Sequence, residues 1–218
     1  MRREHERKEQ EQGWQLLVDA PLDGNLNDIS GNNNHLTLVN GTMSYETING
    51  SQWALFRYAN AQLQQPQQST YINSYRLELD FYRAGSSPTI CQILEGFGTA
   101  GGQAIKIGSN WGTYLAIGIE QPGHSERDEY TWGLHPQWSQ IPQTTPLRVI
   151  MENSDNVITV ELWDISDESN PILLLSNTEA TPTFANASNE TLRFGASTYA
   201  SGKRYFNGYL KRFKLYTK

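Results

Sequence analysis

The stretch from residue 108 to residue 140 concentrates side chains that can bind a sugar. Aromatic rings stack on the apolar faces of sugars, and polar groups beside them bond the hydroxyls, so a glycan site needs both in one place. We take as the candidate ligand site the following residues of this Gly- and Pro-rich stretch: Trp111, Tyr114, Arg127, Tyr130, Trp132 and Trp138. Two alternatives are that these rings cover the end of a hydrophobic core, or that they line a subunit interface, where aromatic residues are also enriched.

The residue patterns of common enzyme sites are missing from the sequence. It contains no G-x-S-x-G turn, no H-E-x-x-H pair and no phosphate-binding loop. The histidines are scattered and lack metal-ligand spacing. The single cysteine, Cys91, stands in an apolar run and is predicted to be a buried hydrophobe rather than a reactive thiol. These features favour binding over catalysis.

The charge balance argues against a polyanionic partner. The net charge is −6, and residues 1–12 carry as many acidic as basic side chains, so the rest of the chain holds the whole excess. Such a surface repels DNA and RNA. The basic run near the C-terminus alternates with apolar residues and is interpreted as a solvated strand face: Lys211, Arg212, Lys214 and Lys218. No stretch approaches the ~20 apolar residues of a membrane-spanning helix, so we expect neither nucleic-acid binding nor membrane insertion.

The elements that must position the candidate site are predicted to be strands. Several runs alternate with period two, as in Arg76–Tyr82, where Leu77, Leu79 and Phe81 share one face. Gly, Pro, Asn, Asp and Ser separate the runs, which is typical of an all-β, two-sheet antiparallel sandwich. The predicted strands are 14–18, 35–39, 52–57, 76–82, 89–96, 103–107, 113–119, 147–152, 157–165, 172–176, 191–195 and 206–216.

Residues 1–12 form a separate segment. They are highly charged and have no apolar stripe, so they are predicted to be a short charged helix or a disordered tail in front of one domain, 13–218. One interpretation is a solvated tail. The other is a tether that joins the domain to an assembly partner or to further copies of itself.

One segment carries a family resemblance. Leu22-Asp23-Gly24-Asn25, followed by Asp28-x-Ser30-Gly31-Asn32, resembles the first turn of laminin G-like domains of the concanavalin A-like lectin and glucanase superfamily. The run 206–216 resembles the closing strand of that family, and weaker similarities in the expected order extend over about 14–218. The resemblance implies a jelly-roll fold and a lectin-like role. The first and last strands of such folds often pair, which removes two exposed edges.

The resemblance also implies a possible structural calcium ion. Related domains often hold one where the early turn meets the closing strand, and hard cations prefer oxygen ligands. The candidate ligands are Asp23, Asn25, Asp28 and Asn32. Lys211 stands where the family commonly has an acid, and a lysine there repels a cation. The alternative is that the four residues only form Asx turns.

Hydrolases of the same superfamily carry an E-x-D-x-x-E motif on one strand. The best match here begins at Glu78 and Asp80 but ends on Arg83, so one carboxylate is missing. We therefore predict a non-catalytic domain that recognises a glycan or a glycosylated surface. The first alternative is a structural component of a virion or other large particle, and the less favoured one is a glycoside hydrolase. We expect an extracellular or particle-surface location, although the sequence begins with no signal peptide.

Overall fold

The structure is a computed structural model. It describes residues 13–57, 61–65, 74–83, 91–96, 104–109, 114–120, 131–142, 144–181, 192–195 and 206–218. Residues 1–12, and with them the predicted tail or tether, lie outside these ranges.

The described residues form fifteen strands and one short 3-10 helix, Trp138–Gln140. The strands are β1 (Gln15–Ala20), β2 (Thr37–Gly41), β3 (Ser44–Ile48), β4 (Ser51–Phe56), β5 (Ala61–Gln64), β6 (Tyr75–Arg83), β7 (Cys91–Gly96), β8 (Ala104–Ser109), β9 (Ala116–Glu120), β10 (Thr131–Leu134), β11 (Leu147–Ser154), β12 (Val157–Asp164), β13 (Ile172–Ala180), β14 (Arg193–Phe194) and β15 (Gly208–Thr217). The predicted all-β class is confirmed.

The strands form two antiparallel sheets. The larger sheet has the order β13-β12-β11-β6-β15-β4-β3, and β1 pairs with β15 beside β4. The smaller sheet has the order β10-β9-β8-β7-β14-β5-β2. The core lies between them because alternate residues of each strand face the opposite sheet. In β6, Leu77, Leu79 and Phe81 are fully buried in this core, and burial of each such side chain stabilises the fold by roughly 1.5–3 kcal/mol.

The first and last strands pair, as predicted. The ladder runs from Gln15 opposite Thr217 to Ala20 opposite Phe213. On its other side β15 pairs with β6 along almost its whole length. Strand β15 is therefore an interior strand of the larger sheet. The other side of β1 has no strand partner among the described residues and is instead bonded to the turn that follows it, as in the hydrogen bond from the Ile29 N–H to the Asp19 carbonyl oxygen.

Three strands were not predicted from the sequence: β3, β5 and β10. Each is short, and β10 lies inside the Gly- and Pro-rich stretch 108–140, after the predicted strand 113–119. Its conformation depends on its neighbour β9, with Trp132 opposite Ile119 and Gly133 opposite Gly118. These three strands have four or five residues and no clear alternation of apolar and polar residues, so their pairing with neighbouring strands is what identifies them.

Strand β10 is the edge of the smaller sheet, and the larger sheet covers it. The Gly133 N–H donates to the Glu179 carboxylate, and the Asn177 amide donates to the Gly133 carbonyl. A Cβ atom at position 133 would lie 2.1 Å from the Ile117 carbonyl oxygen, and the φ angle of 140° also favours glycine. Glycine is thus required here, and the two side chains of β13 satisfy backbone groups that an open edge would expose.

Candidate functional site

The four predicted calcium ligands lie in the turn that follows β1. The Asp28 carboxylate is at its centre and accepts four hydrogen bonds: from the backbone N–H of Asp19 (2.8 Å), Ser30 (2.9 Å) and Asn34 (2.9 Å), and from the Ser30 hydroxyl (2.8 Å). Burial raises the pKa of Asp28, but these hydrogen bonds outweigh it and bring the pKa below its ordinary value. The carboxylate therefore organises the turn as an anion.

The other three residues are also used within the turn. Asn25 donates to Asp23 at 3.2 Å and accepts from the Asn27 N–H at 2.8 Å. The Asn32 amide donates to the Leu16 carbonyl oxygen at 2.8 Å. Both Asp28 oxygens face N–H or O–H donors, which a cation would have to displace. As arranged, the set does not fit a calcium ion, and the described residues contain no group of three or more His, Cys, Asp or Glu suited to a metal.

The carboxylates of the incomplete hydrolase motif lie on the outer face of the larger sheet. Asp80 is bonded by both oxygens to the Arg148 guanidinium, at 2.6 and 2.8 Å. Glu78 lies 3.1 Å from Arg76 and 3.6 Å from Lys214. Burial raises the pKa of Asp80, and the Arg148 pair offsets part of that effect. Because both acids are held by basic side chains, the pair matches a structural ion network better than a nucleophile and a general acid.

Three residues of the C-terminal basic run belong to the same network: Lys211, Arg212 and Lys214. Their side chains are mostly buried and paired with acids, so the prediction of a solvated strand face is wrong for them. Arg212 holds Asp19 by two hydrogen bonds, at 2.9 and 2.6 Å. Lys211 pairs with Glu168 and donates to Ser51 at 3.1 Å. We call this outer surface of the larger sheet, centred on Asp19, Asp80, Arg148 and Arg212, the ionic face. Its charges are paired with one another.

The predicted ligand stretch is drawn together at one end of the smaller sheet. Tyr114 and Gln137 form an isolated antiparallel bridge, and the Leu115 N–H donates to the Pro136 carbonyl at 3.0 Å. This contact continues the β9–β10 pairing past the end of β10. Tyr114 is 38% exposed, so part of its ring faces solvent beside the turn that begins at Gln137.

That turn displays amides and a hydroxyl. The Gln140 N–H donates to the Gln137 carbonyl oxygen at 2.9 Å, and the Gln137 N–H donates to the Gln140 side-chain oxygen at 2.9 Å. The Ser139 hydroxyl donates to the Gln137 side-chain oxygen at 3.4 Å. Gln137, Ser139 and Gln140 are all exposed. An exposed ring beside fixed amide and hydroxyl groups can stack on a sugar and bond its hydroxyls.

The other predicted ligand residues are placed only in part. Trp132 is in β10 and Trp138 begins the 3-10 helix, but their side chains are outside the described set. Trp111, Arg127 and Tyr130 lie outside the described residues altogether. Strand β9 ends at Glu120 and β10 begins at Thr131, and this end of the hairpin is opposite to the end where Tyr114 meets Gln137. Five residues of strand, about 17 Å, separate the two ends.

Two residues of the smaller sheet were missed by sequence reasoning. Gln137 belongs to no recognisable sequence motif, and only its backbone bridge to Tyr114 makes it a candidate ligand contact. Lys106 is only 2% exposed although Ile105 and Ile107 on either side face the core, so it lies on the outer face of the sheet. It pairs in register with Gly118, whose lack of a side chain leaves room beside it. A lysine inside an Ala/Ile/Gly strand was the available signal.

Comparisons with known proteins show the fold. No protein-family model and no curated protein matches the sequence. Among solved structures, domain 4 of AbnA, a GH43 extracellular arabinanase from Geobacillus stearothermophilus solved with arabinotriose, is 12% identical with a TM-score of 0.63, covering 94% of this chain and 93% of that one. The VIP36 exoplasmic/lumenal domain, in its Ca²⁺- and mannose-bound form, is 11% identical with a TM-score of 0.51, covering 94% and 92%.

A third similar structure is the enzymatically active domain of tailspike protein 2 from bacteriophage CBA120. It is 11% identical with a TM-score of 0.57, and the match covers 83% of this chain but 28% of that one. These likenesses confirm the lectin-like β-sandwich fold. They include both glycan-bound domains and an enzymatically active one. Among the described residues, no helix has the length and apolar character to cross a membrane.

Proposed function

We propose that this chain is a non-catalytic carbohydrate-binding domain of the laminin G-like type, and that its ligand contacts the surface formed by Tyr114 and the turn Gln137–Gln140. The observation that carries the proposal is the bridge between Tyr114 and Gln137, which brings an exposed ring next to exposed amides. Trp138 directly follows Gln137, and Trp111 lies three positions before Tyr114 in the sequence, so both rings would add stacking area. Arg127, Tyr130 and Trp132 remain predicted contacts.

Each group has a defined part in this proposal. The Tyr114 ring stacks on the C–H face of a sugar, and by analogy with pairs of aromatic rings this contact contributes about 0.5–1.5 kcal/mol beyond the burial of its area. The Gln137 amide both donates and accepts, which matches a sugar hydroxyl. Calcium has no part in it, because the turn around Asp28 supplies its own hydrogen-bond donors. The paired state of Glu78 and Asp80 supports the non-catalytic assignment.

The test is binding to a broad glycan array, followed by calorimetry on the strongest hit. We expect Tyr114→Ala and Gln137→Ala each to weaken binding at least tenfold. Gln52→Ala is the matched control, because Gln52 is an exposed glutamine of β4 on the other sheet, and it should bind like the wild type. If no glycan binds, or if the control loses as much affinity as Gln137→Ala, the proposal fails.

A second candidate is a surface component of a virion or other particle, anchored through residues 1–12. It is supported by the β1–β15 pairing, which holds Gln15 opposite Thr217, so that residues 1–12 precede a strand of the larger sheet in the sequence. It also agrees with an extracellular or particle-surface location. Deletion of residues 2–12 should abolish incorporation and leave the melting temperature unchanged, whereas normal incorporation of the shortened chain would refute it.

A further inference from the structure

The sequence around the strand ends near Tyr114 and Gln137 is free of charged residues. The stretches 84–94, 107–119 and 130–147 contain no Asp, Glu, Lys or Arg among forty-two residues, whereas the overall charged fraction of 18% would place about eight there. The ten residues 120–129, which begin with the last residue of β9, contain five charged residues. The sequence is therefore uncharged directly before β9 and highly charged after it.

The sheet pairing brings described parts of these stretches together. Cys91 at the start of β7 pairs with Ser109 at the end of β8, and Gly108 pairs with Ala116 at the start of β9. The Tyr114–Gln137 bridge adds the turn after β10. We call this part of the molecule, formed by Cys91, Ser109, Tyr114–Ala116 and His135–Pro142, the neutral end.

Lys106 adds no accessible positive charge to the neutral end. It lies in the middle of β8 and is 2% exposed, so a ligand at the neutral end does not meet its ammonium group. An anionic sugar needs a cationic or dense hydrogen-bonding partner, since an anion removed from water without one pays a large desolvation cost. The described side chains of the neutral end offer rings, amides and hydroxyls.

From this we infer that the neutral end selects uncharged glycans and discriminates against sugars that bear a carboxylate, sulfate or phosphate. The inference rests on the proposed function and specifies its ligand class. The net charge of −6 acts in the same direction, because it repels anions at long range. Recognition by stacking and neutral hydrogen bonds should also be insensitive to salt.

The test compares one glycan with and without a terminal acidic sugar, by calorimetry at about 20 and about 500 mM NaCl. We expect the neutral form to bind at least tenfold more tightly, with less than a twofold change between the two salt concentrations. Equal or tighter binding of the acidic form would overturn the inference and leave the proposed function intact. Absence of binding to either form, and to the rest of a glycan array, would overturn both.

Charge variants sharpen the test. Gln137→Lys removes the same amide as Gln137→Ala but adds a cation at an exposed position. We therefore expect it to bind the acidic glycan at least fivefold more tightly than Gln137→Ala does, and in a salt-dependent manner. Gln52→Lys on the other sheet is the control and should change neither the affinity for the acidic glycan nor the salt dependence of that affinity. The Gly195 N–H donates to the Ile93 carbonyl oxygen in β7. Lys203 and Arg204 lie between Gly195 and Phe206 in the sequence. Their double substitution by Ala should leave the preference unchanged, and loss of acidic-glycan binding in that variant would overturn the inference.

Discussion

The ionic face of the larger sheet and the neutral end of the smaller sheet expose opposite chemistry. On the ionic face, Asp80 is 3% exposed and Arg148 29%, and the two are joined by two short hydrogen bonds. At the neutral end, Tyr114 and Gln137 are exposed, and only their backbones are bridged. Charges that have already found partners within the chain stabilise it, whereas exposed neutral groups are available to a ligand. The charged side chains of the ionic face are therefore part of the fold's own ion pairs and are not free to act on a ligand.

The largest expected effect tests the strand that supports the neutral end. Gly133→Ala forces a Cβ atom against the Ile117 backbone, which cannot yield as a flexible side chain would. We expect a loss of about 4 kcal/mol and a fall in melting temperature of roughly 8–16 °C, measured by calorimetry. Gly50→Ala is the control, since it also has positive φ but open space, and should cost about 1 kcal/mol. Equal losses in the two variants would contradict the role assigned to position 133.

The next effect tests the ionic face. Asp80→Ala leaves the Arg148 guanidinium partly buried and unpaired, so we expect a loss of about 3 kcal/mol in urea denaturation, with glycan affinity unchanged. The exposed pair of Arg57 and Glu46 is the comparison, and Arg57→Ala should cost less than about 1 kcal/mol. If Asp80→Ala instead abolished glycan binding in a folded protein, the structural role of the ionic face and the binding role of the neutral end would be wrongly assigned.

The smallest effect concerns the turn around Asp28. Its folded pKa is below the ordinary value of 3.8, so the carboxylate stabilises the fold above that pH, and the stabilisation disappears as the pH falls through the folded pKa. Asp28→Asn should cost about 1–2 kcal/mol at pH 7, because an amide cannot accept all four bonds. The difference in unfolding free energy between variant and wild type, measured by urea denaturation from pH 7 to pH 2, should become smaller as the pH falls. If this difference does not change with pH, loss of the Asp28 charge does not cause the destabilisation.

The sequence by itself predicted the class of fold and most of the strands, but not β3, β5 or β10. Alternation in Arg76–Tyr82 and Val157–Ile165 places apolar residues on one face, and this local pattern needs no knowledge of the partner strand. The pairing of the first and last strands was predicted from a family resemblance and is present in β1 and β15. The six aromatic and basic residues of the ligand prediction remain a prediction, and the bridge at Tyr114 supports only the part nearest to it.

Tertiary structure alone decided which residues meet. Asp80 and Arg148 are 68 positions apart, and the register of β6 against β11 makes them neighbours. Tyr114 meets Gln137 because β9 and β10 pair with Ile119 opposite Trp132, and β10 has too few residues to show its own period. Side-chain type and alternation are local properties that a sequence displays directly. Sheet register and strand order come from the packing of the whole core, so the neutral end and the ionic face became visible only once the two sheets were assembled.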